Sequence, residues 1–257
     1  MIEITPVVEF YITNECNLSC TNCNRYNDFD FKGHYHWEDY ADTIRAWSKR
    51  ISPTQITIIG GEPTLNPGIV TWMKNLHRCW PESNLMVQTN GVNTMWRDQL
   101  RYWKTYKTAF GVAVHDPKMK SKLKEQWEPN RDYDLAVFDA DKFTEAAVKK
   151  VNGRLTVHRS DPDKAFRNCS MRTSHTMFKG RLYKCPMVAV LPEFRQQYSV
   201  DLDPDQEQLL AAYQPLDVDC SDEELLEFVA NQHTHHAQCA LCPEQAIWTP
   251  VVFQRKK

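Results

Sequence analysis

Three cysteines stand close together near the start of the chain, in the segment Cys-Asn-Leu-Ser-Cys-Thr-Asn-Cys over residues 16 to 23. This C-x3-C-x2-C spacing sets Cys16, Cys20 and Cys23 in one short loop. Three thiolates so placed can hold one cubane iron-sulfur cluster, because each binds a different iron. The fourth iron then lacks a protein ligand, and an open metal position is typical of a reactive site. A zinc-binding loop is the alternative that the spacing leaves open.

A second motif strengthens the cluster hypothesis. Residues 7–13 and 55–59 are short runs of β-branched and aromatic residues, typical of buried strands, and the second run leads into Gly-Gly-Glu-Pro at residues 60–63. With a C-x3-C-x2-C loop after the first strand and GGEP after the second, the chain resembles the radical S-adenosylmethionine (SAM) superfamily. The resemblance implies an α/β fold, a partial (β/α)6 barrel that is open on one side.

The resemblance also implies a set of ligands. A [4Fe-4S] cluster is expected on the three cysteines of the loop, with SAM at the open iron. The residues then expected to contact SAM are Gly60, Gly61, Glu62, Pro63, Thr89 and Asn90. One departure is Asn22, because the family often has an aromatic residue before the third cysteine that contacts adenine. We expect Tyr26 or another side chain to cover that face.

The rest of the first 160 residues alternates between strand and helix patterns, which predicts a parallel sheet with right-handed crossovers. The predicted helices cover residues 37–47, 69–76 and 96–103, and further strands cover residues 85–89 and 109–114. Beyond these we expect an irregular loop over 117–134, a strand at 135–138, a helix over 143–151 capped by Asn152-Gly153, and a strand at 155–158.

A change of composition near residues 160–164 marks a predicted boundary. We expect the radical SAM barrel over residues 1–160 and a small C-terminal α+β domain over residues 161–257. Within the second segment, residues 177–185 show a pattern typical of a β-hairpin, with Lys179-Gly180 as its turn.

Five further cysteines lie in this second segment. Cys169, Cys185, Cys239 and Cys242 could bind all four irons of a second cubane cluster. This arrangement resembles the twitch auxiliary-cluster domain, a short relative of the SPASM domain, and the chain's size and cysteine order are similar to those of the superfamily's inosamine dehydrogenase branch. A zinc site made by the same four thiols is the alternative.

The fifth cysteine, Cys220, precedes a capping box, Ser221 to Glu224, that opens a helix. We expect it not to be a ligand, although it could replace Cys169. Three histidines, His233, His235 and His236, come shortly before the last two cysteines, and we expect them in an exposed loop.

Bulk composition excludes some partners. The 257 residues carry a formal net charge of -2, which gives no electrostatic reason to expect binding to nucleic acid or to an anionic membrane. No apolar run reaches the roughly 18 to 20 residues that cross a bilayer, and the N-terminus does not read as a signal peptide. We therefore expect a cytoplasmic protein, where nine cysteines remain thiols or metal ligands.

The resemblance implies reductive cleavage of SAM to a 5′-deoxyadenosyl radical, which abstracts hydrogen from a small-molecule, nucleotide or peptide substrate. A one-electron donor such as flavodoxin or ferredoxin is then required. A second cluster could accept an electron, which favours an oxidised product, dehydrogenated or newly bonded. His115 and Arg159, each just past a predicted strand, are candidates for deprotonating or anchoring substrate.

Two alternatives stay open at this point. One is a redox-neutral radical SAM isomerase or epimerase in which the second cluster is structural. The other is a non-catalytic metal-binding or electron-transfer protein.

Overall fold

The computed structural model describes residues 1–93, 100–127 and 135–255. Its strands are β1 (Ile2–Tyr11), β2 (Leu18–Cys20), β3 (Ile51–Ile59), β4 (Asn84–Thr89), β5 (Thr108–Val114), β6 (Leu135–Asp139), β7 (Lys142–Thr144), β8 (Val148–Val151), β9 (Arg154–Val157), β10 (Ser174–Phe178), β11 (Arg181–Tyr183), β12 (Val200–Asp201), β13 (Trp248–Pro250) and β14 (Phe253–Arg255).

The helices lie between these strands or follow them. They are α1 (Trp37–Trp47), α2 (Ile69–Cys79), α3 (Leu100–Thr105), α4 (Lys120–Trp127), α5 (Pro162–Arg167), α6 (Pro186–Gln197), α7 (Pro204–Ala211) and α8 (Asp222–Ala230). Short 3₁₀ turns cover Pro63–Leu65, Pro117–Met119 and Ala237–Leu241.

The main sheet has the strand order β11-β10-β1-β3-β4-β5-β6 within the described ranges. From β10 to β6 every pair of neighbours is parallel, and only β11 runs antiparallel, to β10. Strands β6 and β11 lie at the two edges, so the sheet stays open. The prediction of an α/β fold with a largely parallel, open sheet is confirmed.

Strand β1 lies inside the sheet and shows how its two faces differ. Successive side chains of a strand point to opposite faces. Val8 and Phe10 belong to a core shared with helices α1 and α2, and the Phe10 ring lies 6.4 Å from that of Trp72. Tyr11 belongs instead to a second core that includes residues of α6. The face of Glu9 and Tyr11 is therefore the one turned away from α1 and α2.

The predicted β-hairpin is confirmed as β10 and β11. Its turn residues Lys179 and Gly180 have φ angles of 50° and 76°, a conformation that glycine adopts easily. Strand β10 pairs in parallel with β1, so the main sheet continues beyond the predicted boundary near residue 160. The domain boundaries themselves stay a prediction, but the hairpin adds two strands to the sheet that the first segment began.

The helix predicted over residues 143–151 is wrong. This stretch forms β7, a bend and β8, and β8 pairs with β9 in a small sheet of order β12-β9-β8. Asn152 and Gly153 both have positive φ, 49° and 82°, so they form a hairpin turn and not a helix cap. Two consecutive residues with positive φ match the tight turns that join antiparallel strands. The strand predicted at 155–158 exists as β9, but it lies outside the main sheet.

The irregular loop predicted over residues 117–134 is also wrong in its described part. Residues 117–127 form a 3₁₀ turn followed by α4. Lys, Glu, Gln and Leu all favour helix. Among residues 121–125, Leu123 is the one buried position, being 2% exposed, and a single buried position gives no periodicity for a sequence pattern to detect. Of the helix predicted over 96–103, the part from Leu100 is confirmed as α3, while Trp96 lies outside the described residues.

The C-terminal end of the chain returns to the first cysteine loop. Strand β14 pairs with β2, which contains Cys20, and β13 pairs with β7. Two hydrogen bonds join Thr21 to Val252, one from each backbone N–H. We refer to residues 246–255 as the C-terminal strap.

None of the helices within the described ranges is both long enough and apolar enough to cross a membrane.

Asn66 joins three segments of the chain through buried hydrogen bonds. Its amide Nδ2 donates to the carbonyl oxygens of Ile12, at 2.6 Å, and of Tyr35, at 3.0 Å, and its Oδ1 accepts from the N–H of Gly68. Asn66 is 1% exposed. Because buried polar groups that lose their partners cost about 1–3 kcal/mol each, Asn66→Ala should lower the free energy of unfolding by about 2–4 kcal/mol.

This loss should appear as a fall in Tm of about 5–10 °C in a calorimetric scan. The matched control is Asn168→Ala, since the Asn168 amide makes its two hydrogen bonds at an exposed position. An equal change in Tm for the two variants would contradict this role of Asn66.

Candidate functional site

The three cysteines of the first loop line one cavity of about 420 Å³ at the carboxyl ends of β1, β3 and β4. Carboxyl ends of parallel strands are where α/β sheets place ligands. Of the residues expected to contact SAM, the cavity is lined by Gly60, Gly61, Thr89 and Asn90. We call this the larger cavity. The sequence therefore located the cysteine loop and the ends of the second and third predicted strands at a shared site.

The thiols of Cys16 and Cys23 are partly buried and receive backbone N–H groups. The Leu18 N–H lies 3.4 Å from Cys16 Sγ, and the N–H groups of Arg25 and Asn27 face Cys23. Burial raises the pKa of both thiols, and the Glu62 carboxylate raises that of Cys16 further. The metal-free thiols are thus held protonated, while the N–H groups are placed to stabilise thiolates once a metal binds.

Gly60 and Gly61 are required by close backbone contact. A Cβ on Gly61 would lie 2.2 Å from the carbonyl oxygen of Glu15, and one on Gly60 would lie 2.5 Å from that of Thr13. The Gly61 N–H donates to Thr13 O and the Glu62 N–H donates to Glu15 O. The turn after β3 is therefore seated directly on the backbone that leads into the cysteine loop.

Glu62, which the resemblance implies as a SAM contact, is held in a buried network of hydrogen bonds. Its carboxylate is fully buried and accepts hydrogen bonds from Thr64, Thr89 and the N–H of Asn90. Burial raises its pKa, and these donors lower it. Neither Glu62 nor Pro63 is among the residues that line the larger cavity. Glu62 here joins the ends of β3 and β4.

Asn90 connects this network to the cysteine loop. Its Nδ2 donates to Asn17 Oδ1 at 2.8 Å and lies 3.7 Å from Cys16 Sγ, while its Oδ1 accepts from the Val92 N–H. The side chain is thereby fixed in orientation and lines the larger cavity.

Asn22, the residue before the third cysteine, is hydrogen-bonded to the C-terminal strap. Asn22 has a φ of 59°, and its Nδ2 donates to Thr249 Oγ1 at 3.0 Å. Trp248 from the strap lines the larger cavity. Tyr26 does not lie there: it lines a different cavity and stacks on Phe194 with ring centroids 4.6 Å apart. Sequence reasoning missed the strap because it pairs across more than 200 residues.

The second cysteine set lines a separate cavity of about 90 Å³, which we call the smaller cavity. Its walls include Cys169, Cys185, Cys239 and Cys242. The pKa of Cys242 is raised mainly by burial. The negative charges of the other three thiolates would raise it further, which shows that the four thiols are neighbours. The structure thus brings together the four cysteines that the sequence analysis grouped.

Cys185 and Cys169 also receive backbone N–H groups. Cys185 is the residue before α6, and the Met187 and Val188 N–H groups face its sulfur. A helix N-terminus favours negative charge, so this position stabilises a thiolate. The Met171 N–H lies 3.3 Å from Cys169 Sγ. Hydrogen bonds to the sulfurs are among the features that tune iron-sulfur sites.

The other candidate ligands of this segment lie as follows. Cys220 borders neither cavity, and Arg50 Nη1 donates to its sulfur at 3.4 Å. His233 and His235 are exposed, as expected, but His236 lines the smaller cavity with its Nε2 3.8 Å from Cys185 Sγ. The preference for Cys169 over Cys220 thus agrees with their placement.

His115 and Arg159, the two candidates for deprotonating or anchoring substrate, lie in different surroundings. His115 lines the larger cavity, and its Nδ1 lies 3.0 Å from the Ala140 carbonyl oxygen. A carbonyl only accepts, so Nδ1 carries the proton and Nε2 keeps a free lone pair. Burial lowers the pKa of His115, so the ring is a neutral base. Arg159 is exposed, is paired with Asp203 and borders neither cavity.

A charged pair in the larger cavity was missed from sequence. Arg25 and Glu9 both line the cavity and form an ion pair, and their side chains are only 4% and 7% exposed. The available signal was Glu9 itself, a carboxylate that stands between the apolar residues Val8 and Phe10.

The donor sets fit the groups that the sequence analysis proposed. Each cavity is lined by thiols that could bind separate irons around a shared space, as a cubane cluster requires. Within the described ranges, no three His, Cys, Asp or Glu side chains converge closely enough to hold a single metal ion.

Comparison with known proteins gives a family. The model of the radical SAM superfamily matches residues 10–169, which is more than half of the chain. The GTP 3′,8-cyclase of Petrotoga mobilis (strain DSM 10674 / SJ95) is 30% identical over 83 residues, covering 32% of this chain and 26% of the cyclase. That match spans about a quarter of the cyclase's length.

One of the similar solved structures, that of BtrN, shows the same fold. BtrN, in complex with AdoMet and 2-DOIA, is 14% identical with a TM-score of 0.56, and the match covers 96% of this chain and 98% of BtrN. The structure of anSMEcpe with bound AdoMet is 18% identical with a TM-score of 0.40, covering 52% of this chain and 43% of that one. The likeness to BtrN extends over nearly the full length of both chains.

Gly61→Ala tests the contact between the GGEP turn and the cysteine loop. The added Cβ would overlap backbone atoms of Glu15, which cannot move without displacing the loop. We expect a loss of about 2 kcal/mol or more in the free energy of unfolding and a large fall in iron bound at the first cysteine set.

Iron content after anaerobic reconstitution and Tm are the measurements. The control is Gly153→Ala, where the φ of 82° makes alanine strained but no atom lies within 4 Å of the added Cβ. This control should lower Tm modestly and leave iron content unchanged. Full iron loading in Gly61→Ala would show that the loop does not depend on this contact.

Proposed function

The chain belongs to the radical SAM superfamily, and from this premise we propose that it is an oxidoreductase that removes two electrons from a small, polar substrate. Members of the family hold a [4Fe-4S] cluster and bind SAM. The observation that carries the proposal is a pair of cysteine-lined cavities that share part of their lining, with the candidate base His115 in the wall of the larger one.

Cys16, Cys20 and Cys23 would hold the first cluster, with SAM against Gly60, Gly61, Thr89 and Asn90. When bound, these groups supply a 5′-deoxyadenosyl radical that takes a hydrogen atom from a substrate carbon. The protein's part is to fix the reacting atoms and exclude water. The seated GGEP turn, the Asn90 amide and the C-terminal strap are the elements that would do so.

A substrate radical beside a hydroxyl or amino group becomes an oxidised product by losing one electron and one proton. His115 Nε2 is the proton acceptor in this proposal, because its lone pair is free and the ring is neutral. Cys169, Cys185, Cys239 and Cys242 would hold a second [4Fe-4S] cluster, which would supply an acceptor for the electron. The full-length likeness to BtrN, a protein solved with AdoMet and 2-DOIA, supports a SAM-dependent reaction on a small molecule.

The variant Cys242→Ala should distinguish the role of the second cysteine set from that of the first. We expect about eight irons per reconstituted wild-type chain and about four in the variant. The variant should still form 5′-deoxyadenosine from SAM and dithionite, because the first set is intact, while oxidised product is lost. Cys220→Ala is the matched control and should keep about eight irons, since Cys220 borders neither cavity.

Cys16→Ala completes this comparison, because it should abolish 5′-deoxyadenosine formation altogether. If SAM were regenerated each cycle, or the product were an isomer of the substrate, the oxidative proposal would fail in favour of the redox-neutral one. If wild type formed no more 5′-deoxyadenosine than Cys16→Ala, a non-catalytic role would be indicated.

His115→Gln tests the base. Removing a general base typically lowers kcat by about 10²- to 10⁴-fold, and we expect a loss in that range with SAM binding preserved. Since burial lowers the pKa of His115 below its ordinary value of 6.5, the wild-type rate should stay high below pH 6.5 and fall only when the ring protonates.

That acidic limb of the pH–rate profile should be absent in His115→Gln. His233→Gln serves as the control because His233 is exposed, and it should retain both rate and profile. An unchanged acidic limb in His115→Gln would assign the proton transfer to another group.

A further inference from the structure

The C-terminal strap passes from one cavity to the other. Ala246 lines the smaller cavity, and Trp248 lines the larger one. Between the two, the strap enters β13, which pairs with β7 so that Trp248 stands opposite Thr144. The strap therefore brings a large aromatic residue from the end of the chain to a site whose cysteines lie near its start.

Two hydrogen bonds of Thr249 fix this part of the strap beside the first cysteine loop. Its Oγ1 accepts from Asn22 Nδ2 at 3.0 Å and donates to the Phe143 carbonyl oxygen at 3.3 Å. Asn22 directly precedes Cys23, and Phe143 itself lines the larger cavity. Trp248, the residue before Thr249, is thereby placed next to the loop that would hold the first cluster.

Trp248 is unusually exposed for so large an apolar side chain. It is 55% exposed, whereas tryptophan is highly buried on average. Exposed apolar surface of this kind marks ligand-binding grooves or protein interfaces. Among the described residues, the other two rings that line the larger cavity, His115 and Phe143, pack against each other with centroids 5.4 Å apart, and no ring packs against Trp248.

A nucleobase is the kind of group that fits such a ring. SAM joins methionine to adenosine, and adenine is its one aromatic ring system. Bases stack on aromatic side chains because every base has a π-face. Tyr26, which the sequence analysis offered as a cover for the adenine, lines the smaller cavity and is already stacked on Phe194. Trp248 is free of such a partner and lines the cavity in which SAM is proposed to bind.

We propose that Trp248 stacks on the adenine ring of SAM and that Thr249 is a positioning residue for this contact. The inference rests on the part of the proposed function that places SAM in the larger cavity, and it holds whether or not the reaction is oxidative. It makes the C-terminal strap a part of the SAM site, although the strap lies beyond residues 10–169, to which the superfamily model matches.

The test is equilibrium dialysis of radiolabelled SAM with the full-length, anaerobically reconstituted protein, without a reductant so that SAM stays intact. Trp248→Leu and Trp248→Ala should raise the Kd for SAM by about 5- to 150-fold, because both remove the stacking surface. Trp248→Phe keeps a ring and should recover most of the affinity. Ile247→Ala is the matched control, since Ile247 is 59% exposed on the same strap but lines neither cavity.

A second comparison tests the role of Thr249. Thr249→Val keeps the shape of the side chain but removes the hydroxyl that joins Asn22 to the Phe143 carbonyl. It should weaken SAM binding in the wild-type background and have little effect in the Trp248→Leu background. Such non-additivity is expected when one residue acts through the other. Two losses that simply add would overturn the positioning role of Thr249.

The iron content of each variant is measured alongside the Kd. Weak SAM binding in Trp248→Leu, recovered in Trp248→Phe at equal iron content, supports the inference. An unchanged Kd in Trp248→Leu, an equal loss in Trp248→Phe, or loss of iron from the first set in Trp248→Leu overturns the inference and leaves the proposed function in place. A wild-type chain that holds iron on the first set but binds no SAM overturns the placement of SAM and the inference together.

Discussion

The contact between two backbones, that of the GGEP turn and that of the segment leading into the first cysteine loop, is the constraint on which the site depends. Gly61 approaches Glu15 so closely that no side chain fits between them, and two hydrogen bonds join the segments there. Apart from the short strand β2, which pairs with β14, the loop of three cysteines has no regular structure to hold it. Its shape is therefore taken from the ends of β1 and β3, whose positions the parallel sheet fixes.

A buried polar network extends this support across the next strand. The Glu62 carboxylate collects donors from its own turn and from the end of β4, and Asn90 continues the network to Asn17 and Cys16. Because every acceptor is matched by a donor, the network tolerates burial that an isolated carboxylate would not. These hydrogen bonds join the turn after β3, the end of β4 and the cysteine loop around the larger cavity.

The main sheet also positions part of the second cysteine set. Strands β10 and β11 extend the main sheet next to β1, and Cys185 follows β11 at the start of α6. The two cavities share the lining residues Asn24, Ser170 and Met171, and the ion pair of Arg25 and Glu9 is buried in the wall of the larger cavity. The C-terminal strap closes the arrangement from the opposite end of the chain by pairing with β2 and β7.

Local spacing of residues was enough to predict the cysteine loop, the GGEP turn, most of the alternation of strands and helices, and the grouping of four later cysteines. It did not determine the features that depend on distant pairing. Residues 143–151 have helical spacing but form strands, because Asn152-Gly153 turns the chain back and β9 is available as a partner. The strap, the place of β10 beside β1 and the burial of Arg25 against Glu9 likewise follow only from tertiary structure, since each joins segments whose proximity no local pattern encodes.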